Sequence, residues 1–342
     1  MIDAQTVSTV NLTSRPRRVF ALGATGTIGR AVVRALVRRG HEVVCFARPR
    51  TRTVDESATE AVGASGQAEF RFGHVTDPVS LVRDGFRGER FDVIVSCLAS
   101  RTGAPGDAWA IDHKAHLHAL AAAQEAGVSH MVLLSAICVQ KPLLEFQRAK
   151  LAFETALIAS GVDYSIVRPT AFFKSLSGQV DRLKRGKPFL IFGNGALTAC
   201  KPISDDDLAD YIANCLDDDS RRNRILPIGG PGDAITPRQQ GEHLFALLGR
   251  APKFTRVPVA LLDGVIRTLS TLGMALPALS DKAELARIGR YYATESMLVW
   301  DAGSGRYDAA ATPSFGSETL FDFYARLVRG ETSVDRGDHA VF

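Results

Sequence analysis

The sequence has no CxxC pair and no cluster of thiols. Its five cysteines, Cys45, Cys97, Cys138, Cys200 and Cys215, are odd in number and widely spaced. This excludes an iron–sulfur cluster, which needs grouped thiolates, and gives no disulfide framework. The pattern fits the reduced thiols of a cytoplasmic protein. No stretch reaches the ~18 uninterrupted apolar residues of a membrane span. The nearest, 258–276, is interrupted by Asp263 and Arg267. The first 18 residues are polar, lack the apolar centre of a signal peptide, and are short and weakly patterned for a transit peptide. A bacterial-type, cytoplasmic protein is the expectation. A surplus of one charge is missing as well. The 41 Lys and Arg against 37 Asp and Glu leave a formal +4 over 342 residues, too little to argue for nucleic acid. Metal ligation is not expected. His113 and His116 share a helix face with His118 nearby, but no Cys or carboxylate completes a ligand set.

What is present is an ordinary globular composition, 46% hydrophobic and 23% charged, which excludes disorder. The length allows about two domains, or one large α/β domain with a covering lobe. Short apolar runs alternate with helical patterns through the first half. Strands are expected at 19–22, 42–47, 69–72, 91–98, 130–136 and 163–168. Helices are expected at 27–39, 109–126 and 143–160, with a polar loop over 51–67. Near-continuous apolar strands between helices imply a parallel sheet covered on both faces. The second half is less regular. A hairpin is expected over 189–200, turning at Gly193-Asn194-Gly195. Helices follow at 205–216, 238–248, 258–276, 282–292 and 317–328, the first capped by Ser204. Helix 258–276 carries a stripe of Leu262, Val265, Ile266, Leu269 and Leu272, read as a core face, with a ligand-covering or membrane-touching surface as the alternative.

Gly23-Ala24-Thr25-Gly26-Thr27-Ile28-Gly29 stands between the first strand and the first helix. Glycines there permit a tight turn, let peptide N–H groups approach a pyrophosphate, and let the helix sit close to the sheet. Gly23, Thr25, Gly26, Thr27, Ile28 and Gly29 are therefore expected cofactor contacts. The fold class that follows is α/β, a Rossmann-type doubly wound parallel sheet with a smaller C-terminal substrate-binding lobe. The second strand ends in Arg48, with Arg50 two residues on, where an NAD site would place a carboxylate. An arginine fork suits a 2′-phosphate, so NADPH is the expected cofactor. Asp77, after the third strand, either lies near the adenine or caps the helix beginning at Pro78. Ser96, Leu98 and Ala99 after the fourth strand, Ser135 after the fifth, and Pro169 and Phe172 at the sixth are expected to line the groove.

The glycine loop, the Arg48 position and Val167-Arg-Pro-Thr170 resemble the atypical short-chain dehydrogenase/reductase superfamily. Four segments are more specific: Ser135-Ala-Ile-Cys-Val-Gln-Lys-Pro142, Arg168-Pro-Thr-Ala-Phe-Phe-Lys-Ser175, Ala199-Cys-Lys-Pro-Ile-Ser-Asp-Asp-Asp207 and Gly289-Arg-Tyr-Tyr-Ala-Thr-Glu-Ser-Met297. They are similar to the NADPH-dependent divinyl chlorophyllide a 8-vinyl-reductases. That resemblance covers residues 18–328. It implies reduction of a vinyl group on a tetrapyrrole to an ethyl group, with any magnesium arriving inside the substrate. It also implies no transmembrane segment, although peripheral contact with photosynthetic membranes stays open. Expected divisions are a tail at 1–18, an NADP-binding domain at 19–170, a substrate lobe at 171–330 partly interleaved with the sheet, and a tail at 331–342.

The superfamily's Tyr-x-x-x-Lys reads Phe146-Gln-Arg-Ala-Lys150 here. Lys150 keeps its place as the first catalytic candidate. Phenylalanine cannot give a proton, which disfavours carbonyl reduction and suits a conjugated carbon–carbon double bond. Tyr291 and Tyr292 are the next candidate proton donors, beside water. Phe172 and Phe173 are expected as a substrate wall, and Lys174 and Lys201 as partners for the substrate carboxylate. Another reductase of the isoflavone-reductase group, and a non-catalytic NADP-binding sensor or assembly subunit, are the alternative readings.

Overall fold

The computed structural model describes residues 15–49, 68–274 and 276–334. Seven parallel strands form one sheet in the order β3-β2-β1-β4-β5-β6-β8. They are β1 (Arg18–Leu22), β2 (Glu42–Ala47), β3 (Ala68–Phe72), β4 (Val93–Ser96), β5 (His130–Leu134), β6 (Asp163–Pro169) and β8 (Arg224–Ile228). Side chains alternate across the sheet as the two-residue strand period requires. Val19, Ala21, Val43, Cys45, Val93, Val95, Val132 and Val167 face one layer. Phe20, Leu22, Val44, Phe46, Ile94, Met131, Leu133 and Ile166 face the other. The first layer is covered by α1 (Thr27–Arg38) and by a helix from the second half, α4 (Asp205–Asp217). The second is covered by α2 (His116–Glu125) and α3 (Glu145–Ala159).

β1 lies between β2 and β4. Chain direction reverses its progress there, and in such sheets ligands bind outside the carboxyl ends at that switch. Arg18, expected in the tail, opens β1 instead. Its guanidinium bonds Glu42 at 2.7 Å and Glu89 at 2.5 Å, which gives it a place in the strand. Loop 51–67 and Arg50 lie outside the described residues.

The second half differs from expectation in three ways. Segment 189–200 is not a hairpin. β7 (Phe189–Phe192) pairs in parallel with β9 (Phe254–Val257), while Cys200 bridges Ile235 and Met297. The glycine turn reverses the chain, yet the partner strand comes from sixty residues on. β8 was hidden by Pro227 and the exposed Arg224, and it joins β6 at the sheet edge. Finally, α6 (Val259–Gly273) has no buried side chain. It leans on α7 (Pro277–Thr294) and leaves Leu261, Val265 and Leu272 exposed, so the core-face expectation fails for this stripe. The lobe has its own core, in which Phe173, Leu183, Phe189, Leu244 and Tyr324 meet. Its helices there are α5 (Pro237–Leu247) and α8 (Leu320–Arg329). A hairpin of β10 (Val299–Asp301) and β11 (Arg306–Asp308) is clamped on Lys141, whose ammonium bonds Glu295 at 2.7 Å and lies 4.8 Å from the Trp300 ring.

Leu36 fixes α1 on the sheet and is fully buried. Leu36→Ala should lower stability by about 2–5 kcal/mol. The expected readout is a lower urea midpoint at unchanged slope; an unaltered midpoint would show that α1 is not held by this face.

Candidate functional site

The glycine loop leaves β1 with Gly23 at φ +74°, a conformation that side chains resist. A Cβ on Gly23 would stand 2.5 Å from the Cys97 carbonyl carbon, and one on Gly29 2.0 Å from the Gly23 carbonyl oxygen. Only hydrogen fits at either place. The loop therefore presses against the end of β4, and α1 starts immediately above β1. Gly26 caps α1 without a side-chain bond, and the first turn carries no acid. The free N–H groups and the positive end of the helix dipole are left for an anion. This cradle fits a dinucleotide pyrophosphate.

Arg48 is exposed directly after β2. Asp77 accepts from the Val79 N–H at 3.0 Å, which is the capping alternative. Leu98 is half-buried and Ala99 exposed at the end of β4, beside the loop. Ser96 is not a lining residue: it is fully buried, and its hydroxyl donates to His116 Nε2 at 2.8 Å. Ser135 is turned inward too, donating to Glu154 at 2.5 Å. Glu154 is buried and paired with Arg168. Pro169 is buried in the last pair of the β6–β8 register, and Phe172 is half-buried against the layer that holds Ile203.

Lys150 projects from α3 as its i, i+4 relation to Phe146 requires. Its ammonium donates to Asp112 Oδ1 at 2.9 Å. The Asp112 side chain is wholly buried, and its Oδ2 has no hydrogen-bond partner among the described residues. Asp112 lies on a π-helical turn (Trp109–Ala115) that leads into α2. Such turns re-aim a helix by one residue, and they recur at functional sites. Four residues on, His116 donates from Nδ1 to the Ile111 carbonyl at 2.9 Å. Burial, then the nearby Lys150 cation, pushes the His116 imidazole down to about 4. It is neutral at physiological pH and accepts from Ser96. Asp112 escaped sequence reasoning because its link to Lys150 exists only after folding. The one signal was the i, i+4 spacing of Asp112 and His116 on a helix expected beside the cofactor groove.

The expected acids and substrate contacts fall elsewhere. Tyr291 is buried, and its hydroxyl donates to the carbonyls of Cys138 at 3.0 Å and Lys141 at 3.3 Å. Burial raises its pKa further. It ties α7 to the turn after β5. Tyr292 is 40% exposed as a residue, while its hydroxyl is sunk beside the Cys138 thiol and pushed well above the usual tyrosine range by desolvation. Phe173 is not a substrate wall, since it is buried in the lobe core against Phe323 with ring centroids 5.4 Å apart. Lys201 is tied to the Thr312 carbonyl at 3.0 Å and Ser314 at 3.3 Å. Lys174 reaches Thr27 on the glycine loop at 3.0 Å. Phe146 packs with Ile137, Cys138, Leu144 and Ile288. An open cleft lies beside it, lined by Arg101, Thr102, Ala104, Gly106, Asp107 and Asp281.

An NAD(P)H-binding family profile matches residues 23–219. Over 331 residues the chain is 51% identical to the divinyl chlorophyllide a 8-vinyl-reductase, chloroplastic, of Oryza sativa subsp. indica, covering 95% of this chain and 82% of that one. The chain belongs to the divinyl chlorophyllide a 8-vinyl-reductase family. Solved structures agree on the fold of this reductase family member. An NADPH-dependent quinone oxidoreductase from Escherichia coli, complexed with NADPH, superposes with a TM-score of 0.64 at 16% identity, covering 90% of this chain and 99% of that one. Isoflavone reductase gives 0.64 at 16% identity over 92% and 100%.

Two buried histidines of this reductase, His116 and His130, have pKa values lowered by burial from 6.5 to about 4. The unfolded chain binds those protons first, so stability is present above pH 6.5 and is lost as pH falls toward 4. Asp205, raised by burial to about 6, and Glu318, also raised by burial, work in the opposite sense. The urea midpoint should fall steadily from pH 6.5 to 4; a flat profile would contradict the burial of neutral imidazoles.

Proposed function

We propose that this chain uses NADPH to reduce the 8-vinyl group of divinyl chlorophyllide or protochlorophyllide to an ethyl group. The observation that carries the reading is a lysine retained on a buried carboxylate while hydrocarbon stands where carbonyl reductases keep a hydroxyl acid. Phe146 fills that place and is packed against Ile288 and its neighbours. An alkoxide forming there would find no hydroxyl donor from that position. A vinyl group needs none at that place: both of its reacting atoms are carbon, and the proton for the inner carbon can arrive from solvent.

NADPH, when bound, supplies the hydride, which the terminal vinyl carbon accepts. The electron pair passes into the conjugated macrocycle, and the inner vinyl carbon takes a proton. Lys150 has three N–H donors. One is held by Asp112 at 2.9 Å, and the other two, without a partner among the described residues, can orient the nicotinamide ribose and face the electron-rich substrate. We assign Lys150 Nζ both the ribose contact and the stabilisation of developing negative charge. Asp112 acts through it as a positioning residue. The buried pair keeps the ammonium in one place, because a desolvated carboxylate without its cation would be costly.

The macrocycle is proposed to lie in the open cleft between the 101–107 loop and α7. Its lining is mostly polar, and apolar side chains are exposed on the segments that carry it: Trp109 just past Asp107, and Leu285 and Tyr292 on α7 with Asp281. A Cβ on Gly103, in the same loop, would come within 2.9 Å of Ile288 Cδ1. These exposed side chains are the apolar surface that a flat aromatic substrate would cover. Arg48 at the end of β2 is assigned to the 2′-phosphate.

Purified protein with divinyl chlorophyllide and NADPH should shift the Soret band to the blue. An unshifted band would sink the proposal. NADPH oxidation with a phenylpropanoid instead would select the isoflavone-reductase reading, and NADPH binding without turnover the sensor reading. Lys150→Ala should cut turnover by about 100-fold or more, and near-normal rates would remove it from the mechanism. Arg48→Glu should weaken NADPH about 10- to 150-fold and leave NADH nearly unchanged; equal loss for both would refute the phosphate role.

A further inference from the structure

Lys174 lies on a short helical turn (Phe173–Leu176) that belongs to the lobe, whose core buries its neighbour Phe173. Its ammonium nevertheless crosses to the nucleotide domain and donates to Thr27 Oγ1 at 3.0 Å, a contact between residues 147 positions apart. Thr27 is the first residue of α1. The lysine is thus parked at the helix opening, beside N–H groups that have no acceptor within the helix. Nothing in that first turn balances its charge, since the turn carries no acid. The acid whose field it meets is Asp205 at the start of α4, whose buried Oδ1 has no hydrogen-bond partner among the described residues. A cation resting on a neutral hydroxyl, over a cluster of unoccupied donors, is an arrangement that an anion completes.

We propose that Lys174 is a pyrophosphate ligand of the cofactor, delivered from the lobe onto the glycine loop, and not a partner of the substrate carboxylate. The inference rests on the dinucleotide reading of that loop. It gives the lobe a direct stake in cofactor binding. The segment that follows β6 would be drawn onto α1 by the same phosphate that the loop amides hold. Both nicotinamide dinucleotides carry this group, so Lys174 should not discriminate between them, unlike Arg48.

The test is binding without substrate, followed by reduced-nicotinamide fluorescence at low and high salt. Wild-type protein should bind both NADPH and NADH, with NADH affinity falling as salt rises. Lys174→Gln should weaken both dinucleotides by a similar factor, about tenfold or more. Lys174→Arg should keep most of the affinity, and Thr27→Ala should lose less than Lys174→Gln. The substrate KM at saturating NADPH should be unchanged in Lys174→Gln. The proposal is overturned if Lys174→Gln binds both dinucleotides as wild type does, or if its defect falls on the substrate KM alone. Should that variant fail to fold, salt-independent NADH binding by the wild type would overturn it equally. A wild-type chain that binds neither dinucleotide would instead refute the reading of the loop itself.

Discussion

The contact on which this structure depends is between two pieces of backbone. The Gly23 carbonyl oxygen lies so close to Gly29 that a single added carbon would stand 2.0 Å from it. Because nothing separates them, α1 begins directly above β1 and turns its open N–H groups toward the carboxyl edge of the sheet. Gly23 makes a second such approach to Cys97, which brings the loop against the end of β4. The glycine loop is therefore set against the ends of β1 and β4 by backbone contacts alone. Every other functional group takes its position from that edge.

On the far side of the crevice the sheet edge is organised by buried polar pairs. Asp112 holds Lys150, Ser96 holds His116, and Glu154 links Ser135 to Arg168. Each pair joins a strand end or its following helix to a neighbouring element. Desolvated pairs of this kind add little net stability, but losing one partner is expensive. Their effect is to fix geometry: the ammonium of Lys150 has one anchored donor, and the neutral His116 has both ring nitrogens engaged. Hydrocarbon from Phe146 and Ile288 then closes the place where an oxygen acid would otherwise stand. A site so arranged favours chemistry between carbons over chemistry at a carbonyl.

What could be read without coordinates was local. The glycine loop sits between an apolar strand and a helical pattern, and Arg48 closes the next strand, so both are legible from a few adjacent residues. Most strands of the first half announce themselves by apolar runs, and the third, Glu69-Phe-Arg-Phe72, by alternation. Pairings made by tertiary contact were not legible. β7 finds β9 across a long insertion, and β8 carries a proline and an exposed start, yet both complete sheets. Long side chains were the least readable of all. Lys174 and Lys201 follow the same kind of strand end, but one reaches Thr27 and the other the Thr312 carbonyl. Tyr291 looked like an acid until its hydroxyl proved occupied by two carbonyls. Asp112 had only its i, i+4 spacing to His116 to mark it.

The central claim is that the glycine-lined crevice presents a reduced nicotinamide to the side group of a flat pigment. Its most direct test is the fate of a label. Turnover of divinyl chlorophyllide with NADPH deuterated at the transferable position of nicotinamide C4 should place one deuterium on the terminal carbon of the new ethyl group. Solvent should supply the hydrogen on the inner carbon. An ethyl group that draws both hydrogens from solvent, or that carries the label only on the inner carbon, would contradict the account.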